Sequence, residues 1–238
     1  MIQFEGTEDL IFDEFIPVRC CMSSFALKLL AMITMTLDHT GAILFPSNEI
    51  LRLVGRLSFP IYCFLLSEGF VHTSSRKRYL FRMGLWGVIS EPVFDLAFRG
   101  NLWVPNHQNV FFTLFFGLCS LCLLTHFEKE KPAAAVGFLL LPIFAAEWFH
   151  TDYGAFGAAL IVVFYICRNH RIGALTGFTL LNTGFSILSN QIQLAAATAV
   201  LPLAFYNEKR GPKLPGWIFY AFYPVHLLVL WGLHTVMI

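Results

Sequence analysis

The stretch FALKLLAMITMTLDHTGAILF, residues 25–45, decides the fold. Its only ionisable side chains are Lys28, Asp38 and His39. About 20 apolar residues in a helix cross the hydrocarbon core of a bilayer. A backbone in lipid must satisfy its own hydrogen bonds, so the helix is the default. The stretch therefore predicts a transmembrane helix that carries an Asp-His pair into the membrane.

Working outward, eight more stretches read the same way: 52–72, 80–98, 109–126, 133–149, 154–167, 173–189, 191–206 and 217–237. The sixth of the nine is short. The eighth opens on Gln191 and Gln193, so either of these two is a candidate re-entrant segment. Composition agrees with the pattern. Of 238 residues 57% are hydrophobic and 13% charged, against roughly 25% charged in soluble domains. Phe alone occurs 26 times and mean hydropathy is +0.66. A soluble enzyme, a disordered chain and a secreted disulfide scaffold are excluded. The fold class expected is all-α, a polytopic transmembrane helical bundle of about nine spans. Residues 25–238 form a single domain, preceded by an acidic cytoplasmic tail over 1–24. Positive charge opens a signal peptide, whereas this tail holds Glu5, Glu8, Asp9, Asp13 and Glu14.

Lys and Arg accumulate on the cytoplasmic side of a membrane. With nine spans, alternate loops share a side. One side then takes thirteen of the 16 Lys and Arg, and the other takes only Arg52, Arg56 and Arg99. This tally expects a multi-pass protein of the cell (inner) membrane, with the N-terminus cytoplasmic and the C-terminus outside. The formal net charge of +1 gives no reason to expect a nucleic-acid partner. The six Cys fall mostly in apolar runs, where Cys is a small hydrophobe. Cys119-x-x-Cys122 lacks the Trp, Gly and Pro of a redox loop.

Ionisable groups inside spans cost about 2.5–3.5 kcal/mol each on insertion scales and usually face the bundle interior. Asp38, His39, Arg56, Glu91, Asp95 and His226 all fall between the midplane and the outer surface, and Asp152 lies in the outer loop His150–Tyr153. Glu68 is the exception, near the inner end of its span. Asp38 is rotated about 100° from His39 around the helix, so it is placed to pair with Arg56 rather than to orient His39. No His-x-x-x-His pair occurs and nothing requires a metal. Nucleotide-binding, serine-hydrolase and zincin motifs are missing too. What remains is a His base near carboxylates and an Arg in a low-dielectric bundle. That set suits acyl transfer. It equally suits a proton-coupled transporter with Asp38, His39 and Glu91 as relay, although no internal duplication of the transporter kind is present.

The motifs together resemble the TraX family, whose namesake N-acetylates pilin. They are Leu27-Lys28 and Leu37-Asp38-His39, then Gly55-Arg56-x-Ser58-Phe59-Pro60, Asn109-Val110, Asp152-Tyr153-Gly154, and Phe222-Tyr223-Pro224-x-His226-Leu227. The resemblance implies a membrane acyltransferase that takes acetyl-CoA from the cytoplasm as donor. The acceptor is an amine or hydroxyl of a peptide, glycan or lipid near the outer face. It implies His39 as the base and His226 as second candidate for base or for acyl-carbonyl donor, with Arg56 steadying the thioester carbonyl or the acceptor and Asp38 beside it. The basic residues Arg76, Lys77, Arg78 and Arg82 are expected to meet the nucleotide of CoA. Glu91, Asp152, Tyr153 and Tyr223 are expected to meet the acceptor.

Overall fold

The computed structural model describes residues 21–128, 131–189 and 191–237. Residues 1–20 of the acidic tail lie outside the described residues, as do Arg19 and Lys129 of the charge tally. Helices α1 (Ser24–Ile43), α2 (Glu49–Gly55), α3 (Ser58–His72), α4 (Arg76–Arg99) and α5 (Val110–Phe127) are followed by α6 (Pro132–Trp148), α7 (Gly154–Ile166) and α8 (Arg171–Leu188). A 3-10 segment, Gln191–Ala199, leads into the short α9 (Val200–Ala204), and α10 (Gly216–Met237) ends the chain. Each expected span therefore has a helical counterpart, and no β-strand occurs among the described residues. The protein is an all-α membrane bundle. Three segments, Glu49–His72, Val110–Phe127 and Gly216–Met237, are long and apolar enough to cross a membrane on length and composition.

The helices begin where their caps dictate. Ser23, Asn48, Ser75 and Asn109 each accept a hydrogen bond from a backbone N–H in the first turn of the helix that follows, the usual use of a short polar side chain at that point. Gly100, at φ +70, ends α4 in the left-handed region.

Two expected spans are not single α-helices. The second breaks at Arg56 and Leu57 into α2 and α3. Pro60 has no N–H to give the carbonyl four residues back, which is that of Arg56, so the α ladder fails there. The eighth runs as a 3-10 segment through Ala199. Pro202 withholds the bond to the carbonyl of Thr198 in the same way.

The core lies around α3, α5 and α7, where Ile61, Phe70, Leu118, Leu121, Leu160 and Ile161 are fully or almost fully buried. Outward-facing positions are the reverse of a soluble protein's. Ile33, Phe81, Val88, Phe144, Leu180 and Val229 are all exposed, an apolar exterior that fits hydrocarbon.

Alternate loops meet in space. At one end Ser24 N–H donates to Lys209 O, Phe25 N–H to Arg210 O, Arg171 Nη2 to Tyr206 O, and Arg76 Nη1 to Thr125 Oγ1. At the other end the 101–109 loop meets the 150–153 loop through Gln108 N–H to His150 O, and the tight approach of α2 to α1 lies on that side too. The basic loops are gathered at the first end.

Candidate functional site

An open cavity of about 330 Å³ lies between α1, α2, α3, α4, α5 and α10 near the second end. Its size is at the small end of the range for small-molecule pockets, about 300–1,000 Å³. It is polar at its mouth, where Arg52, Arg99, His107 and Asp152 stand, and mainly apolar below, with Met35, Phe94, Phe111, Phe219 and Tyr223. Phe219 is within the first turn of α10 and lies 4.8 Å from Lys28 Nζ, near the start of α1. The lining therefore extends from close to the basic end of the bundle to the opposite loops.

His39 lines this cavity, and His226 stands behind it, buried, outside the lining. His39 Nδ1 and His226 Nε2 are 2.7 Å apart, with the rings within 8° of coplanar. His226 Nδ1 is 2.8 Å from the carbonyl oxygen of Phe222, one turn back on α10. A carbonyl oxygen only accepts, so Nδ1 of His226 carries the proton. With both rings neutral, His226 Nε2 is then a lone pair and accepts from His39 Nδ1. That leaves His39 Nε2 unprotonated and able to accept a proton. Phe98 and Tyr223 meet the His39 ring edge-on, at centroid distances of 5.4 and 5.9 Å, and hold its plane.

Asp38, the next residue, faces another way. Its carboxylate lies between two guanidiniums, with Arg52 Nη1 at 3.1 Å from Oδ2 and Arg56 Nη2 at 3.2 Å from Oδ1. Arg52 and Arg56 are four residues apart and so share a face. Gly55 allows the approach, because a Cβ there would fall 2.2 Å from the Asp38 Cβ. The Arg56–Asp38 contact is out of hydrogen-bond line, and Arg56 Nε has no acceptor although it is buried. Arg56 Nη1 donates to Tyr153 Oη at 3.3 Å. The Tyr153 ring stacks on Phe59 at 3.5 Å, and burial raises its phenol far above the usual range, so the hydroxyl stays neutral. Asp152 Oδ1 is 3.4 Å from His107 Nε2.

A family model described as "TraX protein" matches residues 23–234. The chain belongs to the TraX family. It is 31% identical to "Probable fimbrial assembly protein FimC, serogroup H1" of Dichelobacter nodosus, over 87% of this chain and 94% of that one. It is 26% identical to "Protein TraX" of Escherichia coli, over 86% of this chain and 84% of that one. An uncharacterised protein of Rickettsia prowazekii is 25% identical, over 76% and 68% respectively. No solved structure matches.

Five of the TraX-like motifs converge on the cavity: Asp38-His39, Arg56 with Ser58 and Phe59, Val110, Asp152-Tyr153 and Tyr223 line it, with His226 directly behind. Glu91 is not among the lining residues. Its carboxylate accepts from Asn109 N–H at 3.0 Å and from the Asn109 side chain, and so holds the residue that caps α5. Asp95 does the same for the next loop, accepting from Val104 N–H at 2.6 Å. Arg76, Lys77, Arg78 and Arg82 are likewise absent from the lining. They open α4 at its far end, and Arg76 is bonded to Thr125 and lies over the Phe70 ring. Sequence reasoning missed Arg52, Tyr62, His107 and Arg99 as lining residues. Arg52 had a signal in its spacing of four from Arg56. His107 had none, because only the packing of the 101–109 loop against 150–153 brings it in.

Proposed function

We propose that the chain is an acetyl-CoA-dependent membrane acyltransferase with His39 as general base. The observation that carries this reading is the His39–His226 pair, which leaves His39 Nε2 as a lone pair on the cavity wall. An acceptor amine or hydroxyl placed there loses its proton to Nε2 as its lone pair attacks the thioester carbonyl. The tetrahedral intermediate collapses with cleavage of the C–S bond. The proton passes from the His39 imidazolium to the departing CoA thiolate. His226 stabilises the imidazolium by accepting its Nδ1–H. The Arg56 and Tyr153 side chains are donors for the developing oxyanion.

The positive-inside tally supports a cytoplasmic basic end, and in this scheme the basic loops hold the nucleotide of CoA there. The apolar lower cavity, beginning one turn into α10, then takes the acetyl-pantetheine arm, while the acceptor enters at the polar mouth. The fimbrial and TraX relatives favour an acceptor connected with pilus assembly. A transporter relay through Asp38, His39 and Glu91 has less support, since Glu91 is committed to Asn109.

The test is transfer of labelled acetyl from acetyl-CoA by the purified chain in lipid nanodiscs. Products are sought by mass spectrometry among peptides, glycans and lipids of cells with and without the protein. CoA release that depends on His39 supports the reading. Absence of CoA binding and of any acetylated product overturns it.

A further inference from the structure

The cavity mouth carries more positive charge than its own carboxylates balance. Its lining includes Arg52, Arg56 and Arg99 against Asp38 and Asp152. Asp38 is shared between Arg52 and Arg56, so one carboxylate serves two guanidiniums. Asp152 contacts His107. Arg99, at the end of α4, is exposed and makes no ion pair among the described residues. Arg56 Nε is buried without an acceptor, and Asp38 Oδ1, 3.2 Å from Arg56 Nη2, is buried without a donor. A buried donor left without a partner is costly, and guanidiniums make their strongest bonds to carboxylate and phosphate oxygens. The cavity is small enough for one residue-sized ligand to meet His39 and these arginines together.

From this we infer that the acceptor is an acid: its amine or hydroxyl lies a few bonds from a phosphate or carboxylate that the Arg52, Arg56 and Arg99 side of the cavity binds. The inference rests on the acyltransferase reading for the word acceptor, but the anion subsite stands on charge and geometry alone. The arginines hold the acidic group at the mouth and leave the nucleophile of the same molecule facing His39 Nε2.

The experiment has a binding arm and a transfer arm. The full chain in nanodiscs is dialysed to equilibrium, at fixed ionic strength, against labelled phosphoethanolamine, β-alanine or ethanolamine. The same compounds are then offered as acetyl acceptors with acetyl-CoA. Phosphoethanolamine, β-alanine or both should bind at least about 10-fold more tightly than ethanolamine, and which of them does so separates a phosphate from a carboxylate ligand. Arg99→Gln, at an exposed position without an ion pair, should keep the fold and narrow that ratio about 3- to 10-fold. Binding of ethanolamine as tight as that of the two compounds with an acidic group overturns the subsite, whether or not acetyl is transferred. An unchanged ratio in Arg99→Gln, with thermal stability intact, removes Arg99 from it. Preferential binding without any acetylated product upholds the subsite and counts against the acyltransferase reading instead.

Discussion

Among the regions of this bundle that bury polar side chains, two do so in opposite ways. Between α8 and the 3-10 segment, Asn182 and Gln193 exchange hydrogen bonds at 3.2 Å, side chain to carbonyl and side chain to side chain, and Ser186 bonds back to Asn182 O. All three are buried, and none faces the cavity. Around α1, α2 and α10 the polar groups are ionised or titratable, and they surround open space. There Arg56 Nε lacks an acceptor, and His39 Nε2 is left with a lone pair. The first region is interhelical bonding, in which neutral partners satisfy one another. The second has incomplete bonding beside a cavity. A buried polar residue in a membrane helix therefore points to function only when its bonding is incomplete and a cavity lies beside it.

That contrast can be broken most sharply at His39. His39→Ala should reduce acetyl transfer by about 100- to 10,000-fold, the usual worth of a positioned base, with the protein still inserted and folded. Activity close to wild type in the purified variant would remove the cavity from the chemistry. His226→Ala, which acts only through its neighbour, should cost less than His39→Ala and also shift the pH–rate profile. If the two variants lose activity equally and keep the same profile, the order of the pair given above is wrong.

Removing Asp38 tests the charged clamp. Asp38→Ala leaves the two guanidiniums of α2 and its C-cap side by side against α1 with no carboxylate between them. Breaking a fully buried pair costs about 3–5 kcal/mol, and partial exposure of Arg52 should hold the loss toward or below the lower figure. Thermal melting in a fixed detergent reads it, and an unchanged midpoint would mean the ions are solvated. Gly55→Ala should destabilise by about 1–3 kcal/mol, as overpacking does, because its Cβ would collide with Asp38. At the small end, Asn182→Leu removes both bonds to Gln193 and should cost about 1.2 kcal/mol, two membrane interhelical hydrogen bonds at an average of about 0.6 each, with acetyl transfer unchanged. A large loss of transfer in that variant would abolish the distinction between the two regions.

Sidedness sharpens the same comparison. After removal of native Cys, a cysteine at exposed Ser74 should label only from the cytoplasm. One at exposed Ser47 or Asn101 should label only from outside. Labelling of Ser47 from the cytoplasm would invert the bundle, and with it the route of the acetyl group.

The bundle itself was legible in the chain, because hydrocarbon imposes a length and an apolar composition on each crossing and leaves the helix as the only local solution. Charges inside such stretches are few, so Asp38, His39, Arg56 and His226 stood out before any packing was known. What sequence reading left open was settled by contacts between distant segments. His226 is 187 residues from His39, and only the packing of α10 beside α1 turns two candidate bases into one ordered pair. Glu91 looked as functional as Asp38, since both are carboxylates in the outer half of a span. The fold set them apart by placing Asn109 against one and two arginines against the other. His107 enters the mouth by loop packing alone, and a loop's path depends on the helices it joins rather than on its own residues. Residue type and periodicity determined which groups are expensive to bury. Tertiary structure decided which of those groups are already satisfied and which still face open space.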